Sequence, residues 1–504
     1  MSVSFNYIPS NIRVPLFYAE VDNSMANTAT ADKKALLIAL MNTGDSDATA
    51  TLLKPTLVAT AEAAKTKFGR GSPLALMAEA FRNQNTTMEL WCIPVDCSTA
   101  VKASGAVQFK GTATESGTLY LYVGSSLVSV SVTAGTTAAE AVAGFIEAIN
   151  GSGDLPVTAK ESSSDEGTIE LTAKIGGIFG NDIIISKNLQ GDTGGESDVP
   201  GLNMIVAGAL TGGAGEPDYE EAFKSVNTET YTFIGIQDNS ATALDACKSE
   251  MNDSTGRWSY ARMQYGHVFT TKRGDAETLV TFGKTRNDQH VTVFGIEPLM
   301  PEPTYVVTGA ALGRIAGFIA NDPARPCQTG ELNDLMQTAI ESRFNLSERN
   351  TLLHNAIATL YYNSGTVMIE RVITTYRVNK WGDADNSYLD ANTLFTLAEI
   401  ITRLKSAITS KYPRHKLAND GTRYGAGQAI VTPKVIRSEL VAQYASMERD
   451  GLVENADLFA KYLVVERNSS DVNRIDVLLP PDLVNQLRIF ALQAQFRLQY
   501  SDND

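Results

Sequence analysis

Apolar and polar residues alternate strictly at both ends of the chain. Val3, Phe5 and Tyr7 are interleaved with Ser2, Ser4 and Asn6, while Phe490, Leu492, Ala494, Phe496, Leu498 and Tyr500 are interleaved from Gln493 onward with Gln493, Gln495, Arg497 and Gln499. A period of two is the signature of a half-buried β-strand, so an amphipathic strand is expected at each end. Terminal segments fray unless something ties them down. Such strands either join a sheet of their own chain or are given to a neighbouring copy, and the alternation leaves both open.

Between the ends the period changes repeatedly. The run KKALLIALM suits a buried strand, PTLVATAEAAKTKFG a helix and TTMELWCIPV another strand, a β-α-β rhythm. In FGRGSPLALMAEAFRNQN, Ser72 is placed as N-cap, Pro73 fits the first helical position, and Leu74, Met77, Ala78 and Phe81 form one stripe. From Val101 short alternating strands with Gly and Ser turns take over, followed by a helix TAAEAVAGFIEAIN and strand-like GTIELTA, NDIIIS and NMIVAGA. TGGAGEP marks a boundary, after which helices YEEAFKSV, ATALDACKSEM and DAETLVTFG alternate with strands YTFIGI, MQYGHVFT and HVTVFGI. Further on, helices are predicted at 331–343, 346–362, 390–410 and 433–449, with strands TVMIERVITTYRV, YLVVER and RIDVLL.

This succession predicts a multidomain α/β and α+β protein. An N-terminal arm occupies 1–28, an α/β domain takes 29–103 and 213–325, an inserted β-rich domain takes 104–212, an α+β domain takes 326–487, and a C-terminal strand arm takes 488–504. A length of 504 residues, 43% of them hydrophobic and 20% charged, suits a globular chain of about three domains. The formal charge of −15 argues against a surface devoted to neutralising phosphate, so no direct nucleic-acid partner is expected. The first residues show no apolar segment of a signal peptide and ALLIALM is too short to span a bilayer, which predicts a soluble protein without membrane insertion. Cys92, Cys97, Cys247 and Cys327 are scattered without a C-x-x-C pair and read as reduced thiols.

Catalytic and ligand motifs fail on inspection. His267, His290, His354 and His415 have no partner at metal-ligand spacing. The GKT at 283–285 lacks a phosphate-loop glycine, since Thr278 stands at its first position. Asp383 and Asp385 have D-x-D spacing, but Tyr388 occupies the place of a calcium-loop glycine, and the stretch reads better as a helix entry capped by Asp390. No cofactor and no metal is implied. The turn before the Ser72 helix, with Gly69 and Gly71, reads as a tight turn into a core helix or as an anion seat.

Five segments taken in order resemble the tail sheath proteins of Mu-like contractile phages. They are PSNIRVPLFYAEVDNSMAN, FGRGSPLALMAEAFRNQN, GGIFGNDIIIS, SYLDANTLFTLAEIITRLK and RIDVLLPPDLVNQLRIFALQAQFRLQY, and 104–175 matches least distinctly. The resemblance implies a non-enzymatic structural subunit that stacks with its own copies as helical rings around a tail tube, meets baseplate and tail terminator proteins, and contracts to drive the tube through a host envelope. It implies a place in the virion tail after assembly in the host cytoplasm. It also implies that the arms bearing Val3, Phe5, Tyr7, Phe490, Leu492, Phe496, Leu498 and Tyr500 cross to neighbouring subunits. A sheath of a phage-derived bacteriocin or injection machine shares this reading, and a multidomain α/β enzyme with a lid domain is the alternative from another class.

One charged stretch stands out against the acidic background. Arg403, Lys405, Lys411, Arg414, Lys416 and Arg423 face only Asp420 in the same interval. The helix carrying the first of them has its expected core stripe at Leu394, Leu397, Ala398, Ile401, Leu404 and Ile408, which leaves Arg403 off the stripe. The stretch is either a solvated face or, as the resemblance implies, a basic patch toward the tail tube.

Overall fold

In a computed structural model, residues 33–97, 100–425 and 427–498 are described. The predicted strand at Val3, Phe5 and Tyr7 and the residue Tyr500 lie outside them. The chain opens with β1 (Lys34–Leu40), β2 (Thr56–Leu57), α1 (Ala61–Phe68), α2 (Pro73–Gln84) and β3 (Glu89–Val95). Then follow β4 (Ser104–Gly111), β5 (Gly117–Val123), β6 (Ser126–Val132), α3 (Ala138–Gly151), β7 (Val157–Glu161), β8 (Thr168–Ala173), β9 (Ile184–Lys187), β10 (Leu202–Val206) and β11 (Gly208–Ala209). Next come α4 (Tyr219–Lys224), β12 (Phe233–Ile236), α5 (Ala241–Met251), β13 (His267–Arg273), α6 (Ala276–Lys284), β14 (Val291–Ile296) and α7 (Thr304–Asn321). After them run β15 (Glu331–Leu332), α8 (Leu346–His354), β16 (Ala358–Asn363) and β17 (Thr366–Arg371). The remainder holds α9 (Ala391–Lys411), β18 (Lys416–Leu417), β19 (Ile430–Val431), α10 (Pro433–Arg449), α11 (Ala456–Tyr462), β20 (Val464–Arg467) and β21 (Ile475–Leu478).

Nine strands form one sheet in the order β15-β17-β16-β14-β13-β12-β1-β3-β2. The six from β16 to β3 run parallel and the outer ones antiparallel. Parallel strands must be covered on both faces, and β1 shows it, with Ala35 through Leu40 all buried. Residues of one parity, such as Ala35 and Leu37, join α2 and α7 in one core, whereas Leu36, Ile38 and Leu40 join α4 and α5 in another. The α2 helix forms as its sequence dictates: the Ser72 hydroxyl accepts from Ala75 N, Pro73 opens the helix, and Leu74, Met77, Ala78 and Phe81 are fully buried.

Strands β4 to β11 make two four-stranded antiparallel sheets, β10-β4-β8-β7 and β11-β9-β5-β6, with α3 packed between them through Val142, Phe145 and Ile149. Their core is separate, but Phe179, with Ile175 and Ile178, crosses over to join the core of the nine-stranded sheet beside Leu40. At the C-terminal end, α9, α10 and α11 enclose a fourth core in which the Tyr444 and Phe459 rings stack.

Several expectations from sequence are corrected. No helix covers 331–343; Glu331 and Leu332 pair instead with Met368 and Val367 of β17, and only a short 3₁₀ turn follows at Ile340–Ser342. The predicted 346–362 helix stops at His354, and a left-handed Ala356 turns the chain into β16 beside β14. In both cases long-range pairing outweighs local helix propensity. As a result 331–371, read from sequence as part of the 326–487 unit, supplies three strands of the nine-stranded sheet. The α7 helix was not predicted at all. It is apolar nearly all round, and it carries glycines at 309, 313 and 317, spaced by four, residues that ordinarily weaken a helix interior. Two of them form its contact face on α2: a Cβ on Gly309 would lie 2.2 Å from Met77 O, and one on Gly313 would lie 2.6 Å from Phe81 O.

Candidate assembly surfaces

The C-terminal tail is built from the last core outward. Leu483 bridges to Val453, the Asp482 amide donates to the Tyr444 hydroxyl at 2.9 Å, and Val484 N donates to Leu452 O. Farther on, Gln486 Nε2 donates to Ala324 O at 2.8 Å and Gln328 Nε2 to Leu487 O at 3.3 Å. Arg488 then places its guanidinium on the Asp390 carboxylate at 3.0 Å. After that point the body no longer covers the chain. Phe490, Leu492, Phe496 and Leu498 are between 77% and 96% exposed. The strand predicted there has no β-partner among the described residues.

Beside the tail's root, β20 and β21 form an antiparallel ribbon of two strands, with no third among the described residues. Val465, Ile475 and Leu479 pack on the α10 core, whereas Val464, Val477 and Leu478 face solvent. A two-stranded ribbon is marginal in water and both its outer edges carry unpaired backbone groups.

Asp390 is the residue before α9, as expected, but its side chain does not cap the helix. Arg371 takes it in a bidentate pair at 3.0 and 2.9 Å, and Arg488 shares it.

The basic residues divide into two groups. Arg403 Nε binds Glu399 at 2.9 Å and its Nη1 binds Asp450, while Lys411 Nζ binds Glu439 at 2.7 Å. Burial opposes the charge on Arg403, but its two carboxylate partners outweigh that and raise its pKa. The expected core stripe is also rotated: Phe395, Glu399 and Ile400 are buried, while Leu397, Ala398, Ile401 and Ile408 are only half-buried. Arg403 is therefore half-buried and bonded within the chain. Lys405, Arg414 and Arg423 are exposed, with no ion pair among the described residues, and exposed Lys416 donates only to Gln428.

In open parallel sheets, ligands bind at the strand ends where the strand order reverses, here beside β1. Phe179 and its neighbours fill that crevice, leaving a cavity of about 10 Å³ lined by Leu40, Gly71, Phe179 and Tyr305. Gly71 makes the fit possible: its φ is +74°, and a Cβ there would meet Leu155 O at 2.2 Å. Two carboxylates bind across the same junction. Asp182 pairs with Arg273 Nε at 2.5 Å and accepts from Thr304 N at the start of α7, and Glu302 accepts from Ser125 Oγ at 2.7 Å and Met336 N at 2.9 Å.

Comparison with known proteins adds to this geometry. The family model for the phage tail sheath protein central domain matches residues 212–375, and that for the phage tail sheath C-terminal domain matches 383–497. The Mu-like prophage FluMu tail sheath protein of Haemophilus influenzae is 39% identical over 504 residues, covering 99% of this chain and 100% of its own. The chain belongs to the phage tail sheath family. Two solved sheath tail proteins are similar to it over most of their length. The one from Desulfitobacterium hafniense is 12% identical with a TM-score of 0.47, over 94% of this chain and 97% of its own. The one from Listeria innocua is 14% identical with a TM-score of 0.47, over 92% and 94%.

For a sheath protein the histidines have plain surroundings. His267 is buried against Phe269 and Phe395 and bonds Thr292 at 2.8 Å, and burial drives its pKa well down. His290 stacks on Trp258 and bonds Asp253 at 2.9 Å. No group of three metal-ligating side chains occurs among the described residues, and no described helix is long and apolar enough to cross a membrane. What sequence reading missed in this sheath subunit is the Arg488–Asp390 pair. The tail offers one trace of it: Ile489 and Ala491 break the alternation, which runs cleanly only from Phe490 on the apolar side and Gln493 on the polar side.

Proposed function

We propose that this chain is the structural subunit of a contractile tail sheath, which polymerises as stacked helical rings around the tail tube and shortens to drive the tube through the host envelope for genome delivery. The observation that carries the reading is the apolar run from Phe490 to Leu498, exposed and without a β-partner among the described residues, beside a two-stranded ribbon whose edges have no strand partner among them either. The tail of one copy adds a strand to the β20–β21 ribbon of the next, a β-augmentation in which backbone pairing holds and alternate side chains select. Each of Phe490, Leu492, Phe496 and Leu498, if fully buried, contributes about 1.5–3 kcal/mol before ordering costs. The arm with Val3, Phe5 and Tyr7, together with Tyr500, serves the same exchange. In this arrangement the tail tube faces the C-terminal unit, the β4–β11 region faces outward, and baseplate and tail terminator proteins close the two ends of the sheath.

Removal of residues 489–504 tests the reading. The shortened subunit is expected to melt cooperatively within a few degrees of the full chain and to form no striated tubes by negative-stain microscopy. Tubes of normal appearance from the shortened protein would return the tail to an ordinary surface segment.

A further inference from the structure

A donated strand needs a fixed point of departure, and the tail has one. We propose that Arg488 is the positioning residue of the C-terminal tail: its guanidinium, seated on Asp390, sets where the strand leaves the body, and the seat can be vacated without unfolding the subunit. This rests on the strand-exchange reading above.

Three observations support it. The seat joins three parts of the molecule on one carboxylate, since Asp390 opens α9, Arg371 ends β17 and Arg488 belongs to the tail. Coverage changes sharply there: the Arg488 side chain is 12% exposed, and the next two residues, Ile489 and Phe490, are 80% and 81% exposed. The seat is also imperfect. Two guanidiniums share one carboxylate, and although Arg488 Nη1 and Nη2 also donate to Gln328, Asn392 and Gln486, its Nε has no hydrogen-bond partner among the described residues. A buried ion pair with an unpaired donor gains little over its hydrated parts. Burial and the neighbouring Arg371 both weigh against the Arg488 charge, in keeping with a contact that releases easily.

Release has a geometric consequence. With Arg488 seated, the ten described residues 489–498 lie beyond the seat, about 33 Å at full extension. Upstream the next holds are two single hydrogen bonds, Gln328 Nε2 to Leu487 O and Gln486 Nε2 to Ala324 O, and behind them Leu483 on Val453 and Val484 on Leu452. Vacating the seat and letting go those two hydrogen bonds adds residues 485–488, about 13 Å more. Arg488 thereby gives the tail two lengths.

The test is a nitroxide at Phe490→Cys in the unassembled full-length chain, where the native cysteines are all buried and leave the new thiol to react. The label is expected to be restrained in the parent. In Arg488→Ala it is expected to tumble several-fold faster, matching a label at Leu498→Cys, with Arg488→Lys recovering part of the restraint and the melt remaining cooperative. Asp390→Asn, which keeps the shape and removes the charge, is expected to free the label as well and serves if the alanine variant fails to fold. Equal mobility at 490 in the parent and in either variant overturns the seat. The outcomes separate the two readings. A 489–504 truncation that still assembles, alongside a label freed by Arg488→Ala, removes the strand exchange and keeps the seat. The reverse pair of results removes the seat and keeps the exchange.

Discussion

Glu302 is a residue whose environment opposes its charge. Burial pushes its carboxyl up to about 7, although the Met336 amide and the Ser125 hydroxyl both favour the charged form. The sign follows from linkage: between the ordinary carboxylate value and about 7 the folded chain binds the proton that the unfolded chain has lost, so stability falls as pH rises through that window. Glu302→Gln keeps an acceptor for the Met336 amide, turns its NH2 toward the Ser125 hydroxyl oxygen, which can accept, and removes the charge. It is expected to be more stable than the parent at pH 8, by about 1–3 kcal/mol, with the difference closing toward pH 5 in urea melts. At the same scale, period two separates neighbouring tail residues. Phe496→Asp, on the apolar face, is expected to abolish tube formation, whereas Gln495→Asp, on the polar face, leaves most of it; equal losses would count against a strand.

Among elements, α7 shows why part of the fold was legible and part was not. Strands β1, β12 and β14 and helices α2, α3, α5 and α10 follow from their own periodicity and caps, because each satisfies its local rules by itself. The α7 sequence does not, since Gly309 and Gly313 make sense only against the α2 backbone they approach. Gly309→Val is expected to lower stability by about 3 kcal/mol or more, as overpacking against a backbone carbonyl cannot relax by side-chain rotation. Thermal or urea melts decide it. The β15–β17 edge was misread for a related reason: two residues, Glu331 and Leu332, are captured by a strand more than thirty positions away. The tail was readable as a strand from its alternation, but its seat was not, because nothing in the sequence joins Arg488 to Asp390 across ninety-eight positions.

For the molecule as a whole, the basic stretch and the β4–β11 region change meaning once contacts are known. Reversal of Arg403 or Lys411 would break pairs inside the subunit, so the probe of a tube-facing patch is Lys405→Glu with Arg414→Glu. That variant is expected to fold normally and to assemble poorly on tubes, most visibly at low salt, where exposed charges are least screened. Assembly equal to the parent at every salt concentration would remove the patch. Replacement of 104–212 by a short linker takes away Phe179 and Asp182, leaving a hole at Leu40 and an unpaired Arg273. The shortened chain is expected to fold with a markedly lower melting midpoint, and Phe179→Ala alone to cost about 3–5 kcal/mol.

The Phe179 plug also bears on where a sheath can yield. A crevice left open would let the nine-stranded sheet and the β4–β11 sheets rock against each other under load. Here an aromatic ring, two bonded carboxylates and a glycine approach of backbone to backbone join them into one stiff block. Under the proposed assembly, a wall laid from such blocks would have its compliance in the mortar, so shortening of the whole column would fall to the thin tails between bricks, with the subunits keeping their shape.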